Sequence, residues 1–298
     1  MNKWCGPMSY RTKTKKTYHT LYHIEHFQDS YEYHFHGGTI GSNKGHYGDH
    51  IFNLKFFYDI SDYLEKERIT IYYYYNQDHI THPEELECYI HPKTMILNTI
   101  DKMPSYGVEL WMGREFQHVH YHIIDSYYKV FYKDILEQIK LSHYPIDTGL
   151  FQDEPYLEKI YSSLDSSFHN VDVLILNNVP ISSKFDYYKW KNQLDETIIQ
   201  LSKTYKIATL IEINDSIPST MKNNLRMQDI GAISTHSKII FGFLSGPMTS
   251  CFTKQTKESV KQWIILDPRD GIGFDEVSHI VLKTIDESQI SNIIKSII

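Results

Sequence analysis

Four short apolar runs in the second half of the chain constrain the fold more than anything else in its 298 residues: 171–178 (VDVLILNN), 206–214 (KIATLIEIN), 238–243 (KIIFGF) and 261–267 (KQWIILD). Each has the length of a strand and is too continuously apolar to keep one face in water, the pattern of strands buried on both faces of a parallel sheet. Between and after them lie stretches with helical periodicity, YYKWKNQLDETIIQLSKTY, MQDIGAISTHS and ESQISNIIKSI. Parallel neighbours need a crossover connection, usually a helix, so this half reads as an α/β unit.

The first half repeats the rhythm less regularly. Residues 31–40 (YEYHFHGGTI) read as a strand running into the glycine-rich loop GSNKGHYGDH. From Asp49 onward Ile51, Leu54, Phe57, Tyr58 and Leu64 fall at helical spacing, and strands are expected over 68–76 and 108–116. A helix over 126–140 precedes YPIDTGLFQDEPY, whose two prolines and glycine suit a linker. The expected architecture is α/β, with two Rossmann-like domains whose parallel sheets face a cleft: 31–150, with an insertion or lid near 78–104, and 151–298. Residues 1–30 read as an N-terminal extension.

Composition removes several classes of function. A net charge of -7 argues against a protein that wraps a nucleic-acid backbone, so no nucleic-acid partner is expected. No apolar run approaches the roughly 20 residues that span a bilayer, and no apolar segment of secretory type opens the chain; a cytoplasmic location without a membrane segment is expected. Cys5, Cys88 and Cys251 are odd in number and widely spaced, which fits a reducing compartment. Alanine occurs only at Ala208 and Ala232 beside 24 tyrosines, a bias expected of an AT-rich genome and silent on chemistry.

The strand 238–243 feeds LSGPMTS. Ligands of open parallel sheets bind at the carboxyl ends of strands, where a glycine-containing turn opens a helix whose free N–H groups favour phosphate. Gly246 allows close backbone approach, Pro247 suits a first helical turn, and Ser245, Thr249 and Ser250 supply hydroxyls. The tripeptide alone equally describes a helix capped by serine.

Its surroundings add to this. MQDIGAISTHSKIIFGFLSGPMTS resembles the segment of heptosyltransferase-like GT-B glycosyltransferases in which a short helix, a strand and a Ser-Gly-Pro helix start form the donor diphosphate site; Ile230, Ala232, Ile233, Gly242 and Ser245-Gly246-Pro247 match over about twenty residues. Many members have histidine two residues after the proline, where this chain has Thr249. Those enzymes also have Gly-Asp in the first loop of the N-terminal domain, ahead of an apolar helix, as Gly48-Asp49 stands here. The resemblance implies a transferase that moves a sugar from a nucleotide-diphosphate sugar to a glycan or other hydroxyl acceptor, inverting and independent of metal or other cofactor. It implies a donor site at Ser245, Gly246, Pro247, Met248 and Thr249, with Glu212 near the nucleotide or its ribose, and Asp49 as general base. As a bare helix-start carboxylate, Asp49 would only offset the dipole. Gly45 and Gly48 belong to the acceptor loop, where Gly37, Gly38 and Gly41 would also let backbone approach a substrate. Arg114 could reach a phosphate across the cleft, or pair with a surface carboxylate.

Two other classes stay open. HVHYH puts His118, His120 and His122 on one face of an extended strand, as HFH does for His34 and His36, and three imidazoles on one face suit a divalent metal. A metal-dependent enzyme on that face is one alternative; a non-catalytic binding or structural protein with a double Rossmann fold is the other. No Walker, kinase or G-x-S-x-G pattern appears.

Overall fold

The computed structural model describes residues 30–37, 47–105, 107–110, 132, 133, 135–137, 139, 141, 150–178, 187–266 and 276–298. Among these, all paired strands are parallel and form two sheets. The chain is α/β.

The first sheet has the order β3-β2-β1-β4, built from β1 (Tyr31–His36), β2 (Ile69–Tyr75), β3 (Met95–Thr99) and β4 (Val108–Glu109). Helix α1 (Tyr47–Asp59) follows β1, and α2 (Ser61–Lys66) continues it after a break at Ile60. The periodicity reads as one helix there. Buried Ile60 instead sits at φ -90°, ψ 9°, and its carbonyl accepts the N–H of both Tyr63 and Leu64, which ends one helical run and starts another. The segment 78–104, expected as an insertion, supplies the short α3 (Glu84–Glu87) and the edge strand β3, which pairs with β2 from Ile71↔Met95 to Tyr75↔Thr99. A five-residue strand among Pro, Asn and Thr carries too little pattern to stand out, and pairing supplies the rest.

The second sheet has the order β6-β5-β7-β8-β9: β5 (Val173–Leu176), β6 (Ile207–Thr209), β7 (Ile239–Phe243), β8 (Gln262–Leu266) and β9 (His279–Leu282). Alternation along the strands sends Val173, Ile175, Phe241 and Ile264 to one face, against α5 (Tyr187–Ser202) and the closing α9 (Glu287–Ile297). Leu174, Leu176, Ile240 and Ile265 point to the other face, which shares a buried cluster with Phe35, Ile71, Tyr73 and the α1 side chains of the first sheet. On this side pack α4 (Leu157–Ser163), α6 (Met227–Ser234) and α7 (Gly246–Ser250), and α8 (Lys254–Ser259) leads into β8.

The strand expected over 206–214 stops at Thr209. Beyond it the chain folds back on itself: Thr209 N–H donates to Pro218 O, while Asn214 Oδ1 accepts from the N–H groups of Ser216 and Ile217 in an Asx turn. Gly242 lies opposite Leu176, and a β-carbon there would stand 2.4 Å from the Leu176 carbonyl oxygen, so only glycine lets β5 and β7 meet at this register. No described helix is long and apolar enough to cross a membrane.

Candidate functional site

In each sheet the chain works outward from one strand and then returns to that strand's other side. β5 is followed outward by β6 and flanked on its far side by β7; β1 is followed outward by β2 and β3 and flanked by β4. The carboxyl ends of β5/β7 and of β1/β4 are therefore the two points where crossovers diverge, the position at which open α/β sheets generally bind ligands.

At the β5/β7 point, Asn177 and Asn178 end one strand and Ser245 follows the other. Ser245 occupies the N-cap position of α7 with φ -146° and ψ 174°, yet its hydroxyl makes no cap bond. It donates instead to Asn178 Oδ1 at 3.1 Å, linking the segments that follow β5 and β7. The expectation of a serine-capped helix is thus not met in the side chain. Thr249 N–H donates to the Ser245 carbonyl at 3.0 Å, and Thr249 Oγ1 donates to the same oxygen at 3.1 Å. Among the described residues, the N–H groups of Gly246 and Met248 have no acceptor. Asn177, buried, accepts Ile211 N–H on its Oδ1 and donates to Ile211 O, which fixes the start of the loop carrying Glu212. Glu212 itself pairs with Lys222 at 2.5 Å, and Lys222 also holds Asp215.

At the β1/β4 point, α1 begins. A polar group lies beneath its first turn: Tyr73 hydroxyl meets His50 Nδ1 at 3.1 Å and the Asn53 amide at 3.1 Å, and Asn53 also donates to Leu110 O. Burial pushes the Tyr73 hydroxyl far above its ordinary range, the Asn53 hydrogen bond lowers it somewhat, and the negative charge of Asp49 raises it further. Asp49, half-buried in the first turn of α1, is thus near enough to this group to act on it electrostatically. A β-carbon on Gly37 would fall 1.9 Å from the Tyr73 oxygen, so this glycine admits the tyrosine to the core.

The two points meet. A β-carbon built on Gly48 would stand 3.1 Å from Thr249 Oγ1 and 3.4 Å from Gly246 Cα; one built on Gly246 would stand 3.3 Å from Gly48 N and 3.4 Å from Tyr47 Cβ. The first turns of α1 and α7 therefore touch backbone to backbone, with glycine on both sides. A third glycine completes the packing: a β-carbon on Gly231 of α6 would lie 2.7 Å from the Ser250 carbonyl at the end of α7. Two further contacts flank this region, the first across the two halves and the second within the first half. Glu85 Oε2 accepts Met227 N–H at the start of α6, and Tyr47 hydroxyl accepts His82 N–H.

The structure thus brings together Gly48, Asp49, Ser245, Gly246, Pro247, Met248 and Thr249, with Glu212 in the loop after β6, two strands along the sheet from β7. Gly38, Gly41, Gly45, Arg114, His118, His120 and His122 lie outside the described residues. His34 meets Tyr74 hydroxyl at 2.9 Å and stacks on Tyr72. Among the described residues no group of three or more His, Cys, Asp or Glu is arranged to hold a metal ion.

No family model matches the sequence, and no curated protein does. Among solved structures, the chain is similar to the crystal structure of the glycosyl transferase family 9 from Veillonella parvula DSM 2008, at 13% identity, over 91% of each chain, with a TM-score of 0.41. An overlap that loose says nothing about individual side chains.

Sequence reasoning misses Asn177 and Asn178, although the polar pair closing VLILNN is a usable hint. It also misses Lys55 and Glu154, which form a fully buried ion pair of 2.5 Å beside the junction.

Proposed function

We propose that the chain is a GT-B-like glycosyltransferase, in which 31–150 presents the acceptor and 151–298 holds a nucleotide-diphosphate sugar. The observation that supports this reading best is the contact between the helix starts at the two switch points: the half-buried carboxylate Asp49 follows Gly48, which packs on Gly246, and next to it stand N–H groups of α7 with no acceptor among the described residues. The donor diphosphate lies on those N–H groups, with the hydroxyls of Ser245 and Thr249 alongside, and Glu212 stands on the nucleotide side.

In the reaction the acceptor hydroxyl gives its proton to Asp49 as its oxygen bonds to the anomeric carbon. The bond from that carbon to the diphosphate oxygen breaks, and its electron pair leaves with the nucleoside diphosphate. Attack opposite the leaving group inverts the anomeric centre. The N–H groups stabilise charge as it grows on the diphosphate, and a fixed array of donors needs no reorganisation to do so. In this reading the protein uses no metal or other cofactor, and its partners are the nucleotide sugar and a glycan or other hydroxyl acceptor in the cytoplasm.

The test is a thermal-shift series with ADP, GDP, UDP and CDP and their sugar conjugates, on the wild type, Gly246→Asp and Asp49→Asn. One nucleotide at a hundredfold excess over its dissociation constant stabilises the wild type by about 2.7 kcal/mol. Gly246→Asp, shown to be folded by circular dichroism, loses the shift; Asp49→Asn keeps it and loses sugar transfer. A folded wild type indifferent to every nucleotide would overturn the reading.

A further inference from the structure

Lys55 has no role in the reaction above, and its environment is unusual. It lies on α1 a turn and a half beyond Asp49, is 2% exposed, and is surrounded in sequence by the buried Phe52, Leu54, Phe56 and Phe57. Lysine is almost never fully buried unless paired. Its ammonium has three partners: Glu154 Oε1 at 2.5 Å, Phe252 O at 2.8 Å and Thr249 O at 3.5 Å. Glu154 is held in turn by the Tyr156 hydroxyl at 2.9 Å. Two of the three partners are thus carbonyls at the C-terminal side of α7, Thr249 O inside the helix and Phe252 O two residues past it, each of which also accepts one backbone N–H (from Phe252 and Gln152) and takes the ammonium as a second donor; a cation is favoured at that end of a helix.

Helix α7 has only five residues, too few to hold its own shape by intrahelical bonds. Its start rests on Gly48 of α1 and its end on Gly231 of α6, while Lys55 of α1 reaches its Thr249 carbonyl and, more closely, the Phe252 carbonyl of the turn that follows it. One helix therefore carries Asp49 at its first turn and, less than two turns on, the cation that fixes the opposite helix.

We infer that Lys55 is a positioning residue: resting on the donor-site reading above, it clamps α7 to α1 so that the N–H groups of Gly246 and Met248 and the carboxylate of Asp49 keep a fixed separation. Glu154 neutralises the clamp without competing for the carbonyls, since a carboxylate only accepts.

Removing Lys55 alone would strand Glu154 as an uncompensated buried charge and can unfold the chain. The informative variant is Lys55→Met combined with Glu154→Gln, which removes both charges at similar volume; the introduced amide still accepts from the Tyr156 hydroxyl, whereas a thioether has no proton to donate to the Thr249 and Phe252 carbonyls. Two readouts are taken on the full chain: amide hydrogen exchange over 246–252 without ligand, and the dissociation constant for whichever of ADP, GDP, UDP and CDP binds the wild type. The clamp predicts exchange faster by about tenfold or more at 246–252, with the strand amides of β5, β7 and β8 unchanged, and nucleotide affinity weaker by about tenfold or more. Unchanged exchange at 246–252, or acceleration spread evenly over the core, overturns the clamp whatever the nucleotide does. Faster local exchange with unaltered affinity overturns its link to the donor. If the wild type binds no nucleotide, the donor reading falls and the clamp's role in it falls too, while local exchange still reports on the contact itself.

Discussion

Asp59, the last residue of α1, faces Asp153 and Glu154 from a half-buried position at the end of a helix where a negative charge is already disfavoured. Burial first, then the charges of Asp153 and Glu154, raise its carboxyl to about 6, and the Asp153 N–H and Lys254 offset only part of this. The folded state therefore holds the Asp59 proton more tightly than the unfolded chain. The associated stability is full below the ordinary carboxylate range near 3.8 and is lost as pH rises through about 6. Asp59→Asn keeps an acceptor for the Asp153 N–H and removes the charge. At pH 8 it is expected to stabilise the chain by about 1 to 3 kcal/mol, the worth of roughly one to two pH units at 1.36 kcal/mol each. At pH 4 the gain shrinks toward zero. Urea unfolding of both proteins at the two pH values decides this, and a gain of equal size at both would refer the effect to packing instead of charge.

At the level of elements, local preference and packing compete at Gly231. Alanine in the middle of α6 would add about 1 kcal/mol on helix propensity alone. Its β-carbon, however, would stand 2.7 Å from the Ser250 carbonyl, a backbone atom that cannot swing aside. Packing wins, and Gly231→Ala is expected to lose roughly 1–3 kcal/mol, with nucleotide affinity falling as α7 is pushed away. A higher melting temperature for this variant would show that α6 and α7 have room to part. The same contest explains what can be read from the sequence. β5, β7 and β8 are legible because both of their faces are buried, so their apolar runs are unbroken. The apolar run 206–214 overstates its strand, whose end is set by Asn177 gripping Ile211 and by the Asn214 turn, both polar events that interrupt no apolar pattern. β9 (HIVL) is an edge strand and only half-buried for most of its length, so its pattern is short. Gly48-Asp49 and Ser245-Gly246-Pro247 can each be picked out, but their contact spans about 200 residues of sequence and follows only from how two sheets pack. Lys55 does not stand out because lysine in a helix ordinarily marks the wet face; the clue is that FNLKFF leaves no wet face for it.

At the scale of the whole molecule, the two sheets have no separate cores on their facing sides. One buried cluster runs from Phe35, Ile71 and Met95 through α1 to Leu174, Ile240, Trp263 and Ile265. Phe52 of α1 stacks on Phe252 with ring centres 5.6 Å apart, and Phe252 in turn meets Phe151 at 5.3 Å and Trp263 at 5.5 Å. Beside these rings lies the Lys55–Glu154 pair, whose charges would be costly to separate in an apolar setting. Interfaces between domains of one chain are usually modest and polar, which lets the domains melt apart; this one is aromatic and encloses an ion pair. Thermal unfolding is therefore expected as a single transition, with a van't Hoff enthalpy that matches the calorimetric one, although chains of this length often unfold in stages. Residues 151–298 expressed alone would uncover the Phe252 ring that Phe52 covers and leave Glu154 without its lysine, and they are expected to show no cooperative transition. Two resolved calorimetric peaks, or a cooperative melt from 151–298 by itself, would mean that each sheet holds its own core and that α1 is a hinge between them. A hinge would let Asp49 and α7 separate during turnover, whereas a shared core fixes the distance between them before any ligand arrives.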